Sequence, residues 1–242
     1  MAPTNSHTLD QFLCLGDSLT QHGWDVSKHG WTAQLSQTYL RRLDVINRGF
    51  SGFNTRWAKR ILPRVMPSDS NAKVRLLTIL FGANDAQFSP LKCHVPLDEY
   101  KRNIRDIVQM FGADTRILLI TPPPVGDALY EQFSDGPVDR CRETTMPYAE
   151  AVRELAAELG LPCVDLWAAM EANIDTAGGY DKFLWDGLHL NANGNDLLFS
   201  LVVDAIKQNY PELDPDTMSF KIPAYQSFEN IDELFEMLDV AK

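Results

Sequence analysis

Residues 74–81 read Val-Arg-Leu-Leu-Thr-Ile-Leu-Phe, and the fold turns on this stretch. Even and odd positions are both largely apolar, so a strand here is covered on both faces rather than half-solvated. Gly82 ends it. Working outward, shorter apolar runs stand at residues 12–15, 45–46, 116–120 and 163–166. Turn signals close three of them: Gly16-Asp17, Asn47-Arg48-Gly49 and Thr121-Pro122-Pro123-Pro124. Between the runs, helical spacing predicts helices over residues 31–43 (Trp31, Leu35, Tyr39, Leu43), 97–111, 145–159 and 192–210, with a shorter one over 168–174. Another runs toward Val65 from a cap at Asn54 or Thr55, with Pro63 shortening or kinking it. Five short strands alternating with crossover-length helices argue an α/β fold: a five-stranded parallel sheet with helices on both faces. Ligands of such sheets bind beyond the carboxyl ends of the strands. Ser18, Gly52 and Asn84 each lie just past the end of a different predicted strand.

The chain has 242 residues, 45% of them hydrophobic, which suits one large domain with a core that needs no covalent staples. We place that domain at residues 1–213, followed by a C-terminal extension at 214–242. In the extension Phe228, Ile231, Leu234, Phe235 and Leu238 fall near helical spacing, and Asn230 with Glu233 resembles a capping box. Three roles stand open for this helix: docking on its own domain, a dimer arm, or a cover over the site's rim. Monomer and homodimer both stand open with it. A formal net charge of −11 disfavours nucleic acid as a partner. Arg41-Arg42 and Lys59-Arg60 read as solvated helix faces. Residues 1–9 lack the basic start and apolar run of a secretory leader, and no apolar run reaches the length of a membrane span. The four cysteines show no C-x-x-C spacing; Cys14 and Cys163 read as buried free thiols, and a reducing, cytoplasmic location is expected. No His or Cys cluster has metal spacing, so no metal is expected. There is no P-loop, dinucleotide fingerprint or G-x-S-x-G elbow either. Residues 125–144 show no period, contain Gly126, Gly136 and Pro137, and read as a long excursion loop. Gly178-Gly179 break the chain before the last functional segment.

That segment is Trp185-Asp186-Gly187-Leu188-His189. An Asp-x-x-His turn can bring both side chains from one loop, with Asp186 taking one imidazole nitrogen and leaving the other to face a nucleophile. Ser18 is the hydroxyl at the mouth of the first strand, and a serine needs such a base to attack a carbonyl. An oxyanion then needs donors aimed at one point. The Ser18 N–H, the Gly52 N–H and the Asn84 side-chain amide are the candidates. Asp17 and Asp85 read as structural caps, because a carboxylate on the oxyanion would oppose the chemistry. His22, His29 and His94 read as solvent or pocket-rim residues.

Gly16-Asp17-Ser18-Leu19, residues 47–52 (NRGFSG), Gly82-Ala83-Asn84-Asp85 and Asp186-Gly187-Leu188-His189 together resemble the four blocks of the GDSL, or SGNH, hydrolases, in that family's order. A closer likeness, to isoamyl acetate-hydrolysing esterases, rests on FLCLGDSLTQ, NRGFSGFNTRWA, FGANDA, ITPPP and DGLHLNANGN. The resemblance implies a three-layer, flavodoxin-like α/β/α sandwich and no cofactor. Residue by residue it implies a catalytic trio of Ser18, Asp186 and His189, and oxyanion donors at Ser18, Gly52 and Asn84. The expected function is a serine esterase that cleaves short, acetate-type esters through an acyl-enzyme, with a small-molecule ester as partner. Thioester and sugar O-acetyl substrates share the same reacting groups and stay open, as does a non-catalytic binding protein on the same fold. Trp24, Phe53, Trp57, Phe88 and Trp185 are candidates to line an apolar substrate pocket, with plain core packing as the competing role.

Overall fold

The computed structural model describes residues 9–66, 72–134, 136–174 and 179–240. Residues 1–8 and the predicted break at Gly178 lie outside them. Five strands, β1 (Asp10–Gly16), β2 (Leu43–Gly49), β3 (Val74–Leu80), β4 (Arg116–Ile120) and β5 (Cys163–Val164), form one parallel sheet in the order β2-β1-β3-β4-β5. The helices are α1 (Ser18–Gln21), α2 (Trp31–Thr38), α3 (Thr55–Val65), α4 (Leu97–Gln109), α5 (Asp127–Phe133), α6 (Arg142–Leu159), α7 (Leu166–Glu171), α8 (Ala192–Asn209) and α9 (Ile231–Val240).

Strand residues alternate between two cores. Phe12, Cys14, Leu76, Leu80, Leu118 and Ile120 face a layer containing Trp31, Leu35, Met170, Leu198 and Val202, from α2, α7 and α8. Leu13, Leu15, Leu77, Ile79, Ile117 and Leu119 face Leu62, Ile104, Val152 and Leu155, from α3, α4 and α6. Burial of both faces is why the strand runs look continuous rather than alternating. Each fully buried large aliphatic side chain contributes about 1.5–3 kcal/mol. The carboxyl ends of the strands lie in register. Gly16 pairs with Gly49 and Leu80, Leu80 pairs with Ile120, and Ile120 pairs with Val164. The loops after all five strands therefore leave the sheet along one rim. The order 2-1-3-4-5 puts the topological switch point, where α/β sheets bind ligands, between β1 and β3.

The structure corrects several expectations. The helix over 31–43 stops at Thr38, the chain turns through Arg41 at φ 63°, and Leu43 opens β2. Arg41-Arg42 is not a solvated helix face: Arg41 donates to the carbonyls of Ile222 (2.6 Å) and Pro223, and Arg42 to Met218 (2.8 Å). The pair thus hooks the C-terminal segment onto the α2–β2 corner. Asn54, not Thr55, caps α3, its side chain accepting the Trp57 N–H. The fifth strand is two residues long, because Asp165 caps α7 and ends it. The excursion over 125–144 holds α5, and α6 begins at Arg142, ahead of the predicted Thr145. Cys14 is fully buried, whereas Cys163 is only partly so. At α9, Asn230 accepts the Glu233 N–H (3.0 Å), but Glu233 reaches back to the Glu229 N–H (2.7 Å) rather than to that of Asn230. Among the described residues no helix is long and apolar enough to cross a membrane, and no group of three potential metal ligands gathers.

Candidate active site

The site begins where β1 ends. Asp17 caps the one-turn helix α1 by accepting the Leu19 N–H at 2.9 Å, which puts Ser18 at the first helical position, buried at the rim. Its Oγ lies 2.9 Å from His189 Nε2, although 171 residues separate the two in sequence. On the other side of the ring, His189 Nδ1 lies 2.6 Å from Asp186 Oδ2. A carboxylate can only accept, so the proton of the neutral ring sits on Nδ1 and Nε2 is left with its lone pair toward Ser18. The second oxygen of Asp186 accepts the backbone N–H groups of Leu188 (2.9 Å) and His189 (2.7 Å). Burial pushes the Asp186 carboxyl upward, but the His189 ring and these N–H donors outweigh it and hold it below the usual carboxylate range.

The turn carrying these two residues is tightly docked. The Trp185 N–H donates to the His189 carbonyl (3.0 Å), and Leu184 and Leu190 form an antiparallel bridge. Gly187 has φ +82°, and its carbonyl accepts the Gly126 N–H at 2.8 Å. A Cβ there would lie 2.3 Å from Tyr130 N and 2.7 Å from the Gly126 carbonyl oxygen. Glycine is required both for the backbone conformation and for the approach of the first turn of α5.

The opposite wall comes from β2 and β3. The Phe50 N–H donates to the Gly16 carbonyl at 2.9 Å, tying the turn at Ser51-Gly52 to the end of β1. Gly52 has φ +78°, yet a Cβ there would meet nothing within 4 Å. Backbone conformation accounts for this glycine within the protein itself. Asn84 is buried and donates from Nδ2 to the Phe53 carbonyl at 3.0 Å. Its Oδ1 accepts from Arg140 Nη1 at 3.1 Å. Ser18, Gly52 and Asn84, the candidate donors, thus follow three different strands whose ends share one rim.

Beneath them lie two fully buried carboxylates. Asp85 accepts from the Thr55 N–H at 3.0 Å and from the Thr55 hydroxyl, pinning the start of α3. Burial raises Asp17 to about 6, against the opposing pull of the Leu19 N–H, His189 and Arg140. Burial raises Asp85 to about 7, against its bonds from Thr55 and with some help from Asp17. Both are structural, as their sequence positions suggest. Sequence reasoning missed Asp139, Arg140 and Tyr130, which lie in a segment with no hydrophobic period. Arg140 carries a buried charge paired with Asp139 (Nε to Oδ1, 2.8 Å), and Tyr130 donates to the same oxygen at 2.7 Å.

The aromatic candidates separate. Trp185 is exposed and stacks on His189 (ring centroids 5.8 Å, interplanar 20°), with Lys28 Nζ 4.4 Å from the Trp185 ring. Trp24 is also exposed, two residues beyond His22, whose ring meets His189 edge-on at 5.3 Å. Burial, with His189 and Lys28 nearby, lowers the His22 pKa. Phe53 is half-buried against Phe50 and the core, with Trp57 edge-on to it at 5.8 Å. Phe88 lines a groove of about 630 Å³ with Pro90, Leu91, Cys93 and Val138. His29 turns to Asp196 (3.3 Å) and His94 to the Gln87 carbonyl (2.7 Å).

Fold and site together define a three-layer α/β hydrolytic enzyme in which a serine after β1 meets a histidine and an aspartate carried by a later turn. The chain belongs to the GDSL-like lipase/acylhydrolase family, whose model matches residues 14–197. It is similar to the human isoamyl acetate-hydrolyzing esterase 1 homolog (36% identity, covering 84% of each chain) and to the mouse homolog (40%, covering 77% of each). A GDSL esterase/lipase of Arabidopsis thaliana is 35% identical over 90% of this chain and 93% of its own. Among solved structures, a lipase/acylhydrolase from Enterococcus faecalis superposes with a TM-score of 0.64 at 25% identity, covering 83% of this chain and 96% of that one. The protein is a carboxylic ester hydrolase.

Two predictions follow from this geometry. Gly187→Ala should lower the melting temperature, since a left-handed backbone costs about 1–2 kcal/mol in an L-residue and the overlap with Tyr130 and Gly126 adds to it. Thermal unfolding within a degree of wild type would show that the turn has room to spare. The second concerns pH. The folded state raises Asp85 from its ordinary 3.8 to about 7, so it keeps a proton that the unfolded chain has lost. Stability from this group is full below pH 3.8 and disappears as pH rises through about 7. Asp85→Asn has no proton to lose there. Its melting temperature relative to wild type should therefore rise between about pH 5 and about pH 8; a constant difference would exclude titration of Asp85 in that window.

Proposed function

We propose that the protein hydrolyses short-chain, acetate-type esters of apolar alcohols through a covalent acyl-enzyme on Ser18. The observation that carries this reading is the unbroken chain from Ser18 Oγ through His189 (2.9 and 2.6 Å) to Asp186. His189 Nε2 takes the hydroxyl proton as Ser18 Oγ bonds to the ester carbonyl carbon. The carbonyl oxygen becomes an oxyanion and is met by the Ser18 N–H, the Gly52 N–H and the Asn84 Nδ2–H. On collapse the carbon–oxygen bond to the alcohol breaks, and His189 returns its proton to the departing oxygen. Water then repeats the sequence: His189 takes its proton, the hydroxide oxygen bonds to the acyl carbon, and Ser18 leaves with the proton restored. Asp186 keeps the ring in the required tautomer and offsets its positive charge. Exposed Trp185, stacked on His189, supplies apolar surface for the alcohol. The named activity of the mammalian relatives supports a small acetate ester as the substrate.

A p-nitrophenyl ester series from acetate to octanoate tests this reading with wild type and Ser18→Ala. Wild type should prefer the short acyl chains, and Ser18→Ala should lose at least roughly a thousandfold in kcat. Undiminished turnover by Ser18→Ala would remove the acyl-enzyme, and absence of turnover on every chain length would favour a binding role. Asn84→Ala should lower kcat by about a hundredfold or more with little change in KM, since the oxyanion forms only in the transition state. A change confined to KM would place Asn84 in ground-state binding instead.

A further inference from the structure

Asn84 can present an amide hydrogen to an oxyanion only if its amide is turned the right way. An asparagine amide turned over offers its carbonyl oxygen to the same point and repels the charge it should stabilise. A guanidinium has donors and no acceptor. The atom of Asn84 that lies 3.1 Å from Arg140 Nη1 is therefore its oxygen, and the nitrogen must face the other way. There one N–H goes to the Phe53 carbonyl (3.0 Å), and the second has no partner among the described residues.

Arg140 is itself held rigidly. It is 5% exposed. Nε and Nη2 form a fork on the two oxygens of Asp139 (2.8 and 3.1 Å), and Nη1 also donates to the Ala83 carbonyl (2.7 Å). Asp139 in turn accepts from the Tyr130 hydroxyl (2.7 Å) and the Gln87 side chain. Buried ion pairs are poor sources of stability, because desolvation cancels most of the attraction and an apolar pair of similar shape often does as well. Their yield is geometry. Charge-assisted, two-pronged bonds hold direction better than neutral ones.

We propose that Arg140, clamped by Asp139, is a positioning residue that sets the amide orientation of Asn84 for the oxyanion. The proposal rests on the esterase reading above and assigns Arg140 no contact with substrate. Its charge is matched by Asp139, so it acts through direction rather than through net field. Lysine keeps the charge but cannot make the fork and reach both the Ala83 and Asn84 oxygens.

The test is a double-mutant cycle of Arg140→Lys with Asn84→Ala. It is read both by kcat and KM on p-nitrophenyl acetate and by the rate at which a fluorophosphonate labels Ser18. Arg140→Lys alone should lower kcat and the labelling rate tenfold or more, by no more than Asn84→Ala does, with KM within about threefold. In the Asn84→Ala background the same change should cost less than about twofold, since there is no amide left to orient. Equal losses in both backgrounds, or no loss in either, would overturn the proposal. If Arg140→Lys fails to fold, the double variant Asp139→Asn/Arg140→Met leaves no unpaired buried charge and is carried through the same cycle with the same two outcomes. A failure of Ser18→Ala to lose activity would instead strike the esterase mechanism, so the two failures are distinguishable.

Discussion

The register of the parallel sheet is the constraint from which the rest follows. Because Gly49, Gly16, Leu80, Ile120 and Val164 stand side by side, whatever comes next in each strand emerges at one level. A slip of one residue would also turn Leu13 and Leu77 from the α3/α4 side to the α2/α8 side, so the two cores lock the register. The chain leaves β1 to one side for β2 and crosses to the other for β3, opening a crevice between them. Ser18 follows β1 and Asn84 follows β3, one on each side of that crevice. The proposed oxyanion donors thus inherit their proximity from backbone hydrogen bonds made within the sheet.

Bringing loops to one rim does not fix their side chains, and the protein does this with buried ionisable groups. Asp17 joins the end of β1 to α1, Asp85 joins the loop after β3 to α3, and Arg140 joins that loop to the segment after α5. Each withdraws an ionisable group from water, at a cost visible in the raised pKa values of the two acids. One oxygen of each acid has no hydrogen-bond partner among the described residues. Such groups do not maximise stability. They are the kind of local cost that folds carry around functional sites.

Much of this was legible in the sequence, for physical reasons that differ from part to part. Strands β1, β3 and β4 announce themselves because burial on both faces leaves continuous apolar runs. Ser18, Asp186 and His189 were readable because reactive side chains cluster in short blocks whose order matches a family. Helix α5 was not legible: none of its residues is buried, so it has no apolar stripe to find. Leu43 misled because it falls at helical spacing from Tyr39, while the chain had already turned through the left-handed Arg41. Arg140 carried no signal at all. A buried arginine looks like a surface one until its partner loops are placed, and Ala83 and Asn84 meet it only in three dimensions.

The turn at Asp186–His189 poses a separate problem, since it follows no strand and the sheet register cannot place it. Its brace is the segment of residues 125–144 that holds α5. The Gly126 N–H holds the Gly187 carbonyl, and the backbone of Tyr130 fills the space that a side chain at Gly187 would need. The same segment then sends the Tyr130 hydroxyl to Asp139 and, through Arg140, reaches Asn84. One stretch of chain therefore touches both the imidazole turn and the amide on the opposite wall. The first of these contacts is a backbone hydrogen bond, and the Arg140–Asp139 pair at the other end is a charge-assisted fork. The distance between His189 and Asn84 is thus set by this strap together with the sheet, and a structure without hydrophobic periodicity can still be rigid where its polar groups are all engaged.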